Sequence, residues 1–465
     1  MCILRIIFNI FKYFYDKIIL RIGLLNLKKF IGKNKVFLAS VILYITATLY
    51  FALTHVPLFD ESHAWRVAEV MSTNNWLYIM KVEGHPILWF LILMPWAKFS
   101  VFYPLPMIII NYVSCLLSVI LLWKKAPFNN LIKIIITFSA MFLLNLPIVT
   151  RGYSTGILFL FLLCALFKHQ LKHPFIYALL IGLALNLNIM TAVGGIWFGC
   201  VFVYNILKSG KMKEKIISLS ILFFSSLFTL PLLFATNPTA VLMKGWLCPK
   251  NIITFFTEPA YYTLIIYITL IAYLLYKLRN KLFNSFLIFT SLTLLYLFTS
   301  VYPCFYHHFI FFFIFIIIYM WLAGESSSIF KSKNIVFSAL LALLIVPPIN
   351  HDLEIEKVVH HNLMKNPIKL IKTINSEPVF QNSRIYIHGR ESYIIPYINK
   401  DIEIYDLCHL KPISAIKSFE VPKECILETE EKIIGNTKKT FIISREFYFG
   451  DIIGEFEDFK IYKIK

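Results

Sequence analysis

The sequence predicts a polytopic α-helical membrane protein of about eleven spans, with external juxtamembrane helices and a small C-terminal α/β domain. Three observations lead there. Hydrophobic residues fill 58% of 465 positions and charged residues 15%, and the mean hydropathy of +0.71 exceeds what a soluble surface tolerates. Apolar runs of near-spanning length recur from Val36 to Ile349. From His351 onward the composition turns mixed and charged, and apolar residues alternate with period two.

The net charge of +19 does not point to nucleic acid. The basic residues sit mostly in short loops between apolar runs, which reads as topology and as contact with anionic lipid headgroups. Arg5, Lys12, Lys17 and Arg21 interrupt the first apolar run, so a cleaved signal peptide is not expected. The eight cysteines form no CxxC or metal-type spacing. Cys115, Cys164 and Cys200 fall in apolar runs as small core residues. Cys248, Cys304, Cys408 and Cys425 fall on the external side, which permits a disulfide among them.

Residues 1–35 alternate apolar clusters with Lys and Arg, as an amphipathic helix on the cytoplasmic interface does. Val36 to Thr54 is the first span, running outward. Residues 55–101 form an external loop with a helical piece from Ala64 to Met80. His85 to Phe99 is apolar but, at about 15 residues, short of the ~20 a bilayer core needs. Laid along the external interface, it leaves Lys124, Lys125 and Lys133 cytoplasmic. Every later short basic loop then also falls inside. The following spans are Phe102 to Trp123, Leu131 to Val149, Ser154 to Phe167, Phe175 to Met190, Thr191 to Leu207, Ile216 to Ala235, Tyr261 to Tyr276, Phe283 to Val301, Phe309 to Leu322 and Ile335 to Ile349. Three units result: an interfacial segment (1–35), a transmembrane domain (36–350) and an external α/β domain (351–465). In the last, Lys357 to Ile374 reads as a helix. Strands fall at Arg384 to His388, Ile402 to Tyr405, Thr440 to Ser444 and Phe459 to Tyr462.

The chemistry gathers at Phe59-Asp60-Glu61-Ser62-His63-Ala64-Trp65. Apolar spans avoid acids, so two adjacent carboxylates at a span's outer edge invite a functional reading. One carboxylate acts as a base while the other accepts hydrogen bonds or holds a sugar hydroxyl. Desolvation near the membrane raises a base's pKa toward neutrality. The plainer alternative is a helix N-cap, for which Asp is well suited.

These residues resemble a family. A first span, an external Asp-Glu, a short helix and then His-Pro opening an apolar interfacial helix look like the GT-C superfamily of membrane glycosyltransferases. Asp60-Glu61-Ser62-His63 is similar to the Asp-Glu-x-His of protein O-mannosyltransferases. Glu83-Gly84-His85-Pro86-Ile87 resembles the (H/K)-P-P segment of bacterial members such as the lipid A aminoarabinose transferases, with Ile87 in place of the second proline. The match covers roughly Val36 to Ile349 and leaves the C-terminal domain out.

The resemblance implies a polyprenyl-phosphate-linked sugar donor, an acceptor it does not identify, and inversion at the anomeric carbon. Asp60 matches the family's catalytic base, with Glu61 supporting it. The implied location is the bacterial inner (plasma) membrane, with a cytoplasmic N-terminus, an external periplasmic C-terminal domain and bilayer lipids as neighbours. Arg151 suits the charge of a leaving lipid phosphate, with Tyr153 beside it. Both also fit an interfacial aromatic and cationic belt. Lys244 lies in an external loop that sits near the lipid donor in the family. His307 and His308 open the tenth span and do not share one helix face. His63 and His85 flank the acidic stretch. No third ligand stands at a metal spacing, and Thr150-Arg151-Gly152-Tyr153 lacks the acids of the oligosaccharyltransferase branch. The expected catalysis is therefore metal-independent, without a cofactor. A transporter or lipid flippase is the alternative, and a non-catalytic membrane scaffold a third reading. Transporters place acids or broken helices in mid-membrane, whereas the polar residues here gather at external ends.

Overall fold

A computed structural model describes residues 34–55, 57, 59–83, 85–99, 103–139, 141–209, 211–229, 271–275, 280–300, 306–324, 366–387, 395–398, 401–406, 439–444, 451–456 and 459–464. The expected interfacial segment, the span from Ile335 to Ile349, most of the span from Tyr261 to Tyr276 and the first half of the helix expected from Lys357 lie outside the described residues. The protein is mostly helical, with a small C-terminal sheet. It divides within its first described helix into two compact units, Met1–Ala47 and Thr48–Lys465.

Among the described residues, three helices are long and apolar enough to cross a membrane: α1 (Lys35–Thr54), α5 (Leu105–Lys125) and α9, apolar over Ile189–Lys208. They mark a membrane protein. Large apolar side chains, among them Ile42, Leu43 and Tyr50 on α1 and Phe223 and Phe224 on α10 (Met212–Leu227), lie exposed. Lipid tolerates such faces and water does not.

Between α1 and α5 the chain folds into α2 (Phe59–Val70), α3 (Trp76–Glu83) and α4 (Leu88–Lys98). The single helix expected from Ala64 to Met80 is thus two helices. The break has a chemical cause at Ser72 to Asn75, where the Asn75 carboxamide accepts from the Ser72 amide and donates to the Val70 carbonyl. The three helices bury one core of Trp65, Val67, Ala68, Met71, Ile79, Met80, Trp89, Phe90 and Leu93. With 11 residues, α4 reaches about 16 Å, too short to span.

The span expected from Leu131 to Val149 is not one helix. It comprises α6 (Asn130–Thr137), capped by the Asn129 side chain, and a π-helical turn at Met141–Asn145. Leu146 to Gly152 then runs as turns and irregular chain. After it come α7 (Tyr153–Leu166), α8 (Pro174–Leu187) and α9 (Ile189–Ser209). The turn from α8 to α9 falls at Asn188 rather than at Met190. Later come α11 (Lys281–Ser300) and α12 (Tyr306–Gly324). From Ile310 to Gly324, α12 is buried on every side, as an all-apolar helix requires. Cys115 and Cys164 are buried as expected, but Cys200 is exposed.

The C-terminal sheet has the order β2-β1-β3-β5-β4, built from β1 (Arg384–Ile387), β2 (Glu403–Asp406), β3 (Thr440–Ser444), β4 (Asp451–Phe456) and β5 (Phe459–Ile464). The first three strands are parallel and the last two antiparallel. Ile385, Ile387, Phe441 and Ile443 share one core with α13 (Asn366–Ser376), while Tyr386, Ile442 and Tyr462 form a second core on the opposite face. Strand β4, absent from the period-two reading, pairs with β5 across a bulge.

Candidate active site

Helix α2 starts at Phe59, so Asp60 and Glu61 both sit in its first turn, where carboxylates complement the positive end of the helix dipole. The Asp60 side chain lies outside the described side chains. Position 60 is one turn before Ala64 and on the same helix face.

Glu61 is 1% exposed. Its Oε1 accepts from the Thr150 amide and, at 2.8 Å, from the Thr150 hydroxyl. The His55 Nε2 lies 2.9 Å from Oε2 and 3.1 Å from Oε1. A carboxylate only accepts, so this ring nitrogen carries the hydrogen. Glu61 therefore ties α2 to residues 149–152 and to the end of α1. That is a support for its neighbour, not a carboxylate presented to substrate. Ser62, His63 and Arg66 of α2 are buried as well, each with partners.

Tyr103, in the turn before α5, packs its ring 5.1 Å from Trp65 of α2 and 4.6 Å from Tyr397 of the C-terminal domain. Burial pushes its phenol well above its ordinary value. Tyr397 and Glu61 push the same way, and Arg66 opposes them. It is thus a protonated donor at neutral pH. Among the described residues its hydroxyl has no hydrogen-bond partner.

A hollow opens beside α2. Ala64 lines it from α2; His85, Pro86, Trp89 and Phe90 come from the start of α4. Arg151 and Tyr153 enter from the start of α7, and Leu187 to Met190 from the junction of α8 with α9. The N-terminal ends of three helices, α4, α7 and α9, thus meet at one space. Neither α4 nor α7 has a side-chain cap. Gly152, just before α7, adopts a φ of 75° and packs flat on the Trp89 ring: an added Cβ would meet Cδ2 at 3.0 Å. Glycine at this position lets Arg151 and the Trp89 indole share one wall.

Of the residues singled out in the sequence, His85, Arg151 and Tyr153 converge here. His63 is buried in α2 and is not part of the lining. Glu83 ends α3, and His307 and His308 lie in the first turn of α12; these three side chains lie outside the described ones, as does all of Lys244. Among the described residues no group of three or more His, Cys, Asp or Glu could hold a metal ion. Sequence reasoning missed His55, Tyr103 and Thr150, whose roles rest on contacts across the chain. It assigned no role to Asn188 or Trp89. No protein-family model and no curated protein matches the chain.

Proposed function

We propose that the protein is a membrane glycosyltransferase that moves a sugar from a polyprenyl phosphate to an acceptor at the external face of the membrane. One observation carries the reading. His85, Arg151 and Tyr153, drawn from separate parts of the chain, line one hollow with Ala64, a turn below Asp60 on α2. In this reading the Asp60 carboxylate takes the proton of the acceptor hydroxyl as its oxygen bonds to the anomeric carbon. The bond from that carbon to the phosphate oxygen breaks, and the lipid phosphate leaves with its charge facing Arg151. Glu61 holds α2 and the Thr150-Arg151 chain in register, so that base and cation keep a fixed separation. The proposal includes about eleven spans with the C-terminal domain outside, following the basic loops. It needs no metal or cofactor.

The test is incubation of the purified full chain with a panel of polyprenyl-phosphate sugars, reading released lipid phosphate. Release coupled to appearance of a glycosylated acceptor supports transfer. Movement of intact lipid across the bilayer with no bond cleaved supports a flippase or transporter instead.

A further inference from the structure

Two residues that line the hollow carry buried side-chain donors that find no acceptor among the described residues. Trp89 is 4% exposed and Asn188 is 7% exposed. Among the described residues, neither the Trp89 Nε1–H nor the Asn188 Nδ2 finds a hydrogen-bond partner. Buried polar groups are ordinarily satisfied, so an orphan in a functional cleft calls for a ligand. The orientation of Asn188 is fixed by its other end. Its Oδ1 accepts from the Thr191 amide at 2.8 Å, capping α9. A serine or aspartate would cap as well; only asparagine also supplies an N–H₂. Trp89 is likewise held, its ring against Gly152.

The rest of the lining says what the ligand is. Arg151 is a cation, and indole and guanidinium groups only donate. None of the described lining residues is Asp or Glu. Three helices present their positive ends to the same space. His85 and Tyr153 can accept as well as donate, but the balance of a cation, fixed donors and positive dipoles suits an anionic, accepting group. Pro86, Phe90, Leu187 and Met190 supply an apolar wall, which favours an anion carried on a lipid chain.

We infer that Trp89 and Asn188 are the headgroup-reading residues of this hollow, donating to the oxygens of a lipid-borne phosphate alongside Arg151. The inference rests on the transferase reading for the kind of lipid, but its donors do not depend on Asp60.

The test is binding of undecaprenyl phosphate to the full chain in phosphatidylcholine nanodiscs. Undecaprenol serves as the uncharged control and inorganic phosphate as a competitor. Undecaprenyl phosphate should bind well above undecaprenol. Loss of one hydrogen bond to a charged group should weaken it by about tenfold or more in Trp89→Phe and in Asn188→Ser. Asn188→Asp, which keeps the cap but adds negative charge, should weaken it further. Undecaprenol binding should not change in any variant. Asn188→Ser retains the α9 cap and so decides the matter should Trp89→Phe fold poorly. Competition by inorganic phosphate supports recognition of the phosphate itself. Its failure to compete, with the lipid preference kept, supports recognition of a lipid-borne one. Wild-type affinity in both Trp89→Phe and Asn188→Ser, or equal binding of the alcohol and the phosphate, overturns the inference. Binding that behaves as expected without any sugar transfer overturns only the transferase reading. Transfer by a protein whose lipid binding ignores both substitutions overturns only this one.

Discussion

Glu61 reports on how this site is held. Its carboxylate is buried and accepts from both the amide and the hydroxyl of Thr150, with His55 on its other side. Truncation would strand three donors, the Thr150 amide and hydroxyl and the buried His55 imidazole. Breaking a buried pair from one side costs about 3 kcal/mol or more. Glu61→Ala should therefore lower thermal stability in detergent clearly, and Glu61→Gln less, since an amide oxygen still accepts. A double-mutant cycle with Thr150→Val should show non-additivity, because the two residues share one hydrogen-bond network. Additive effects would mean that the Thr150 contacts contribute nothing. The acidic pair itself was legible in the sequence, because acids are rare at a span's edge. Glu61's partner was not: Thr150 stands 89 positions away, and no local pattern marks a threonine as the acceptor's match. Trp89 and Asn188 were hidden for a related reason. An indole in an apolar run and an asparagine at a helix junction look ordinary until the fold leaves their donors unanswered among the described residues.

Among the elements, helix starts matter more than helix lengths. Hydropathy located α1, α5 and α9 within a few residues, because their apolar runs are long. It failed where a run is apolar but the backbone departs from a continuous helix. Residues 131–149 read as one span, yet they contain a short helix and a π-helical turn, and irregular chain follows to Gly152. That departure is what brings Arg151 to the wall of the hollow. Period-two alternation found four strands of five. It missed β4, whose Gly454 and bulge break the alternation. Gly152 is the sharpest point of the design. A side chain there pays about 1–2 kcal/mol for the left-handed backbone and drives into Trp89. Gly152→Ala should shift the protein's intrinsic tryptophan fluorescence and weaken lipid-phosphate binding. Unchanged fluorescence and binding would show that Trp89 does not depend on that close approach.

For the whole molecule, Tyr103 joins α2 to the C-terminal domain, with Trp65 on one side and Tyr397 on the other. The helices between α1 and α5 are read as external. Their arrangement across the bilayer was inferred from basic loops alone, and labelling can check it. Cysteines placed at Phe99, just past α4, and at Lys125, the last residue of α5, should react from opposite sides of intact cells, position 99 from outside and 125 from inside. The opposite pattern would turn the site toward the cytoplasm. The central claim is that Asp60 is the base of a sugar transfer. The most direct measurement is release of lipid phosphate from a polyprenyl-phosphate sugar by purified wild-type and Asp60→Asn proteins, each checked for folding and for binding of undecaprenyl phosphate. The wild type should turn over, and Asp60→Asn should bind the lipid phosphate but release essentially none. Wild-type turnover by Asp60→Asn would contradict the assignment.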